Sequence, residues 1–310
     1  MDKIFRSYNS QLRLLRQRGL TITNGSRAKR ILERENYYNL INGYKDLFLQ
    51  PNVPNETYKV GANFFEIYAL YLFDRKLRNI FLKQILKFEN HIKSVIAYEF
   101  SRQYGHDNYL KIANFNLGPN NKQLPDVSDL IASIQKDIAR QITKNSSVKH
   151  YMEEYGYVPM WVLVNVLTLG TVSRFFLLMK IQDRQAVARE FGILEDQMIS
   201  YLGFIALIRN LCAHDERLYS YRTKRSIKDN NIHVNLAIPQ NNTRYVNGKN
   251  DIFAVLIVLK IVLERKDLNQ LVTELNEELD KLSRQLTTIS INDVLLEMGF
   301  PTNWSNIRNI

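Results

Sequence analysis

Arg209, Asn210 and His214 close an otherwise apolar segment that runs from Ser200 through Phe204 and Ile208 to the polar cluster His214-Asp215-Glu216-Arg217 and on to Tyr219. An arginine carries a permanent planar cation that fits phosphate oxygens two at a time, and a histidine gives or takes a proton near neutral pH. Together they are what metal-free cleavage of a phosphodiester requires: a charge to polarise the phosphate and a group to move the proton. RNA brings its own nucleophile, the 2′-hydroxyl, so no serine, cysteine or metal is needed. Two plainer roles fit the same residues. His214 can cap a helix C-terminus, and Arg209 can pair with a carboxylate inside a helical bundle.

The elements that must position these side chains are helical. Tyr201, Phe204, Ile205 and Ile208 recur at three-and-four spacing, which predicts a core helix. On it Asn210 and His214 share a face, whereas Arg209 and His214 lie about 140° apart and meet only if the helix ends between them or a second surface reaches both. The longest predicted helix runs from about Asn63 to Tyr104, without proline or glycine. Its polar side carries Asp74, Arg75, Arg78, Glu89, Asn90 and His91, and Glu89 is the acidic neighbour expected for Arg209 or His214. A loop-rich stretch, Gly105 to Pro125, precedes a helix over Val127 to Ile142. Pro159 is expected to start a short apolar helix that Gly170 ends, with Thr171 capping the next and Trp161 in the core. Further helices are predicted over Phe253 to Val262 and Leu268 to Leu282, with the tail docked by Trp304.

Composition narrows the class. With 310 residues, 45% of them hydrophobic, the chain can bury a large core. Seven prolines and twelve glycines are few for that length, so an all-α architecture is expected, with a basic, tyrosine-rich N-terminal helical region over residues 1–60 and a helical bundle over 61–310. The single cysteine, Cys212, rules out an intramolecular disulfide and a cysteine-based zinc site and points to a reducing cytoplasm. No phosphate-binding glycine loop, HExxH or GxSxG is present, which argues against nucleotide hydrolysis, zinc proteolysis and ordinary serine hydrolysis. No metal or cofactor is expected. The longest apolar run, Ile252 to Leu263, is interrupted by Lys260 and too short for a bilayer, so no membrane insertion is expected.

The formal net charge of +11 points to a polyanionic partner, nucleic acid before an anionic membrane. Residues 1–34 hold nine basic side chains, among them Lys3, Arg13, Arg16, Arg27, Lys29 and Arg30, against two acidic ones, a local net of +7. Leu12, Leu15 and Leu20 give this region an apolar edge, Gly19 marks a stop, and Ser26 is placed to cap a second helix. Interleaved Tyr8, Tyr37 and Tyr38 are of the type that stacks on unpaired bases, although solvated helix faces account for the charge equally well. Arg217, Arg222, Lys224 and Arg225, with Lys228 beyond them, form a second basic run beside the Arg209–His214 segment.

Three segments carry a resemblance: Asn36-Tyr-Tyr-Asn-Leu-Ile-Asn-Gly-Tyr44; Pro159-Met-Trp161 with Leu169-Gly170-Thr-Val-Ser173; and Arg209-Asn-Leu-Cys-Ala-His214-Asp-Glu-Arg217-Leu-Tyr219. In this order they resemble the signatures of the Abi-type abortive-infection proteins of bacteria, the AbiD and AbiF group, over roughly residues 10–222. The last motif is similar to the R-x4-H signature of HEPN domains, all-α bundles that include many metal-independent ribonucleases. The resemblance implies Arg209 and His214 as a catalytic pair with Asn210 in support, two such motifs joined across a dimer or a pseudo-dimer, with a homodimer expected here, a role in phage defence, and a structured non-coding RNA as partner. The chain departs from the pattern at Asp215, where a second histidine is common, and at Tyr219, where a tryptophan is. The residues thus suggest two readings: an endoribonuclease, or a non-catalytic RNA-binding toxin or scaffold in which the motif is structural. RNA would be gripped by Arg13, Arg16, Arg27, Lys29, Arg30, Arg217, Arg222, Lys224 and Arg225. A helical protein-interaction module is the third possibility.

Overall fold

The computed structural model describes residues 5–310, so Lys3 lies outside the described residues. The fold is all-α. In chain order the helices are α1 (Tyr8–Gln17), α2 (Gly25–Arg34), α3 (Phe64–Tyr104), α4 (Leu124–Gln141), α5 (Ser146–Tyr155), α6 (Met160–Val166), α7 (Leu169–Leu178), α8 (Ile181–Arg189), α9 (Glu195–Ala213), α10 (Asn231–Asn235), α11 (Ile252–Val262), α12 (Arg265–Ser283) and α13 (Ile291–Glu297). One short antiparallel strand pair, Gln240–Asn241 with Arg244–Tyr245, interrupts the helices.

α3 is the axis of the bundle. Its 41 residues span roughly 60 Å at 1.5 Å per residue, and it packs against α6, α8, α9, α11 and α12. Neighbours on several sides explain why its apolar residues are not confined to one stripe: Leu77, Ile80, Phe81, Ile85 and Phe88 are all buried. The Asn63 side chain accepts the Phe65 amide and starts it, and Gly105 ends it with a positive φ that a glycine adopts freely. α9 buries the stripe read from its spacing, Tyr201, Phe204, Ile205 and Ile208. At the N-terminus, Leu12, Leu15 and Leu20 join the common hydrophobic core, and Trp304 docks the C-terminal tail edge-on against Phe300.

Several local expectations change. α2 is capped by Asn24, whose side chain accepts the Arg27 amide, and not by Ser26. α6 ends at Val166, and Thr168 caps α7 by accepting the Thr171 amide at 3.1 Å, so Gly170 and Thr171 lie inside α7 instead of before it. Every one of these residue types can cap, and packing decides which does. Trp161 is 52% exposed and not in the core. Asp74, Arg78 and Glu89, read as part of a polar side of the long helix, are buried.

Candidate functional site

α9 stops one residue before His214. The Glu216 amide reaches back to the Leu211 carbonyl at 3.2 Å while Asp215 adopts a left-handed φ of +56°, a Schellman-type ending in which an aspartate stands where glycine is usual. Asp215 is held in that less favourable conformation by two cations of α3: its carboxylate accepts from Arg78 and lies 3.7 Å from Arg75. It is therefore turned toward α3, with no hydrogen bond to His214 among the described residues. His214 itself is exposed.

The loop after His214 is anchored by one carboxylate. Asp74, with no exposed surface, accepts from the Tyr44 hydroxyl (2.7 Å), from Arg78 (2.7 Å), and from the backbone amides of Leu218 (2.9 Å) and Tyr219 (2.7 Å). Burial pushes the Asp74 carboxyl up, and these donors pull against it. Burial, followed by the adjacent Asp74 charge, also holds the Tyr44 hydroxyl far above the usual phenol range, so it stays a donor. Tyr219 stacks on Tyr44 with ring centroids 5.5 Å apart, and Tyr44 meets Tyr71 edge-on at 5.3 Å. Tyr71 donates to Glu35 at 2.6 Å, and Glu35 in turn pairs with Arg75 at 3.2 Å. Two of the three sequence segments singled out above are thus joined through α3, with Asp74 as the link.

Between them lies a cavity of about 380 Å³, lined by Tyr38, Asn39 and Asn42 on one side and His214, Glu216 and Arg217 on the other. Arg217 donates to the Gly43 carbonyl at 2.7 Å and closes one edge. Arg209 does not line this cavity. Its Nε sits 3.3 Å from Glu89 Oε2, and the other Glu89 oxygen takes Lys93 at 2.7 Å. Glu89 is thus the expected acidic neighbour, and it serves Arg209. The Arg209 side chain remains 33% exposed, with no other ion pair among the described residues. Asn210 is exposed and shares the His214 face, its carbonyl accepting the His214 amide at 3.0 Å. Cys212 is buried, which pushes its thiol up to about 12 and leaves no thiolate to act as a nucleophile.

The basic residues fall into separate groups. Arg13, Arg16, Arg27 and Arg30 are exposed on α1 and α2; Arg27 lies over the Phe65 ring at 4.9 Å, and Lys29 pairs loosely with Glu33 at 3.7 Å. Of the second run, Arg217 reaches that cavity, while Arg222 donates to the Glu297 carbonyl at the end of α13 (2.7 Å). Lys224 and Arg225 line a different groove against Ser200 and Gly203, roughly 15–20 Å along α9 from His214. Asp74 and Arg78 were missed as site residues, although their i,i+4 spacing, like that of Glu89 and Lys93, was the available signal.

Among the described residues no group of three or more histidine, cysteine or acidic side chains gathers as a metal site, and no helix is long and apolar enough to cross a membrane. A family model for Abi-like proteins matches residues 30–220, from the second half of α2 to the loop anchored by Asp74. No curated protein and no solved structure matches the chain. A match over well more than half of its length settles the family: the chain belongs to the Abi-like proteins.

Proposed function

We propose that this protein acts in abortive infection, a phage-defence response, by binding RNA and cleaving it without a metal. His214 is the general acid/base, Arg209 holds the scissile phosphate, and Asn210 positions either. The observation that carries this reading is the state of the two side chains: His214 is exposed at a helix end, and Arg209 is oriented through its Nε while its outer nitrogens remain available for a bidentate grip. Exposed cations on α1 and α2 and at Arg217 would track the backbone. A second copy supplying its own motif would bring further groups to the diester, and a homodimer is part of the proposal. So is HEPN-type chemistry, in which the 2′-hydroxyl attacks the adjacent phosphorus and the 5′-oxygen leaves with a proton.

One observation favours a second reading. Arg209 rests on Glu89 while His214 opens into a tyrosine-lined cavity, and a protein that holds a structured RNA without cutting it would need no closer approach. Labelled RNA incubated with the protein in EDTA separates the two. The nuclease reading expects products with 2′,3′-cyclic phosphate ends, lost in His214→Ala. Salt-sensitive binding with no cleavage, unchanged by that substitution, supports the second reading.

A further inference from the structure

Trp161 contradicts the expectation that it fills the core, and its surroundings suggest why. A groove of about 780 Å³ runs between the C-terminal half of α3 and α6, lined among others by Asn90, Tyr98, Ser101, His106, Trp161 and Asn165. Trp161 is 52% and Tyr98 67% exposed. The His106 ring lies 5.6 Å from the indole, inclined by 35°, and its Nε2 is 2.9 Å from the Tyr157 hydroxyl, which fixes its orientation. Three aromatic planes therefore face one groove. Polar groups stand beside them with bonding capacity to spare. Asn165 donates its amide nitrogen to the Trp161 carbonyl at 2.9 Å, leaving its oxygen to accept. Ser101 Oγ is buried and has no hydrogen-bond partner among the described residues.

Planar faces flanked by amide and hydroxyl edges match a planar heteroaromatic ring that carries donors and acceptors on its rim. An apolar peptide side chain would stack on the indole yet leave Ser101 unpaired, and a duplex keeps its bases stacked away from any such surface. Position adds to the case. Asn90, at one end of the groove, directly follows Glu89, the residue that carries Arg209. On an ideal helix the two residues stand about 100° apart around the axis, so the groove and the support of Arg209 occupy neighbouring faces of α3. We propose that this groove stacks unpaired bases of RNA, with Trp161 and Tyr98 as platforms, and so feeds a single-stranded segment toward Arg209. The inference rests on the RNA reading above.

The chain has two tryptophans, and Trp304 is buried, so the Trp304→Phe variant isolates Trp161 as a fluorescent reporter inside the groove. A single-stranded oligoadenylate should quench its emission, and a duplex of the same length should not. By fluorescence anisotropy, Trp161→Ala should bind the single strand about tenfold more weakly, and Trp161→Phe should recover most of the loss. A 2′-deoxy oligoadenylate, which lacks the nucleophile, should quench to the same extent, which keeps the outcome independent of catalysis. If the protein binds the oligomer while Trp161 emission stays constant and Trp161→Ala binds equally well, the groove is not the base site, though RNA binding stands. Equal affinity for AMP and for the oligomer would assign the groove to a free nucleotide instead. An absence of any RNA binding by the unaltered protein overturns both the groove and the RNA reading.

Discussion

α3 buries two carboxylates beneath the Arg209–His214 segment, and they serve its two ends differently. Asp74 is saturated: four donors converge on it, two of them backbone amides from the loop after His214, and its partner Arg78 is buried with it. Glu89 shares its charge between buried Lys93 and a one-third exposed Arg209 that offers only its Nε. The Asp74 end is a clamp that fixes a loop. The Glu89 end aims a cation and leaves it reactive. A buried charge with every bond satisfied rigidifies, and one with a partner facing solvent can hand that partner to a ligand.

This contrast is open to attack at several strengths. The largest effect is expected at Asp74. Asp74→Ala removes one of the two carboxylates that pair with buried Arg78 and unpairs the Leu218 and Tyr219 amides and the Tyr44 hydroxyl, so denaturant unfolding should show a loss of about 3–5 kcal/mol. Glu89→Ala leaves Lys93 buried but lets Arg209 turn to water, for a smaller loss of about 2–3 kcal/mol. A larger loss at Glu89 than at Asp74 would reverse the assignment of clamp and aiming site. Arg209→Ala should cost under about 1 kcal/mol of stability, because the pair is partly solvated, while removing RNA cleavage. A variant that melts would mark Arg209 as structural.

How much of this was legible in the residues differs between the two ends. The α9 stripe of Tyr201, Phe204, Ile205 and Ile208 reads directly from its period, and so does the length of α3, because both are local properties. Glu89 was anticipated as the neighbour of either Arg209 or His214, and the structure gives it to Arg209. Asp74 and Arg78 read as a polar face because their i,i+4 spacing signals an ion pair but not its burial, which is set by Leu218 and Tyr219, some 145 residues away. Trp161 misled for a related reason. Its size suggests burial, yet an indole has a polar edge and is often only partly covered. The caps at Asn24 and Thr168 were displaced from Ser26 and Thr171 because neighbouring residues of equal capping ability compete, and only the packed helix ends decide.

A smaller effect tests the part of the chain beyond the family match. His233 is fully buried, its Nε2 donating to the Gly248 carbonyl at 2.8 Å while Nδ1 accepts from the Asn230 amide at 3.3 Å. Burial lowers its pKa, so the neutral form is the folded form. Its stabilisation is therefore complete above the unfolded-state pKa of about 6.5 and declines as pH falls from there toward the lower folded value. Thermal melts from pH 7.5 down to 5 should show this decline, and His233→Asn should flatten it. An unchanged slope would assign the acid sensitivity to other groups. The smallest change is expected from Arg13→Ala with Arg16→Ala, which should leave folding intact and reduce the salt dependence of RNA binding by about one unit per cation.

The claim that most of this depends on is that Arg209 and His214 act on one diester despite standing on different supports. Cleavage rates of Arg209→Ala, His214→Ala and the double variant, measured on the same labelled RNA in EDTA, test it directly. Residues that work as a unit are not additive, so the double variant should be no slower than the slower single variant. Losses that multiply, or a His214→Ala protein that cleaves as fast as the parent, would contradict the account.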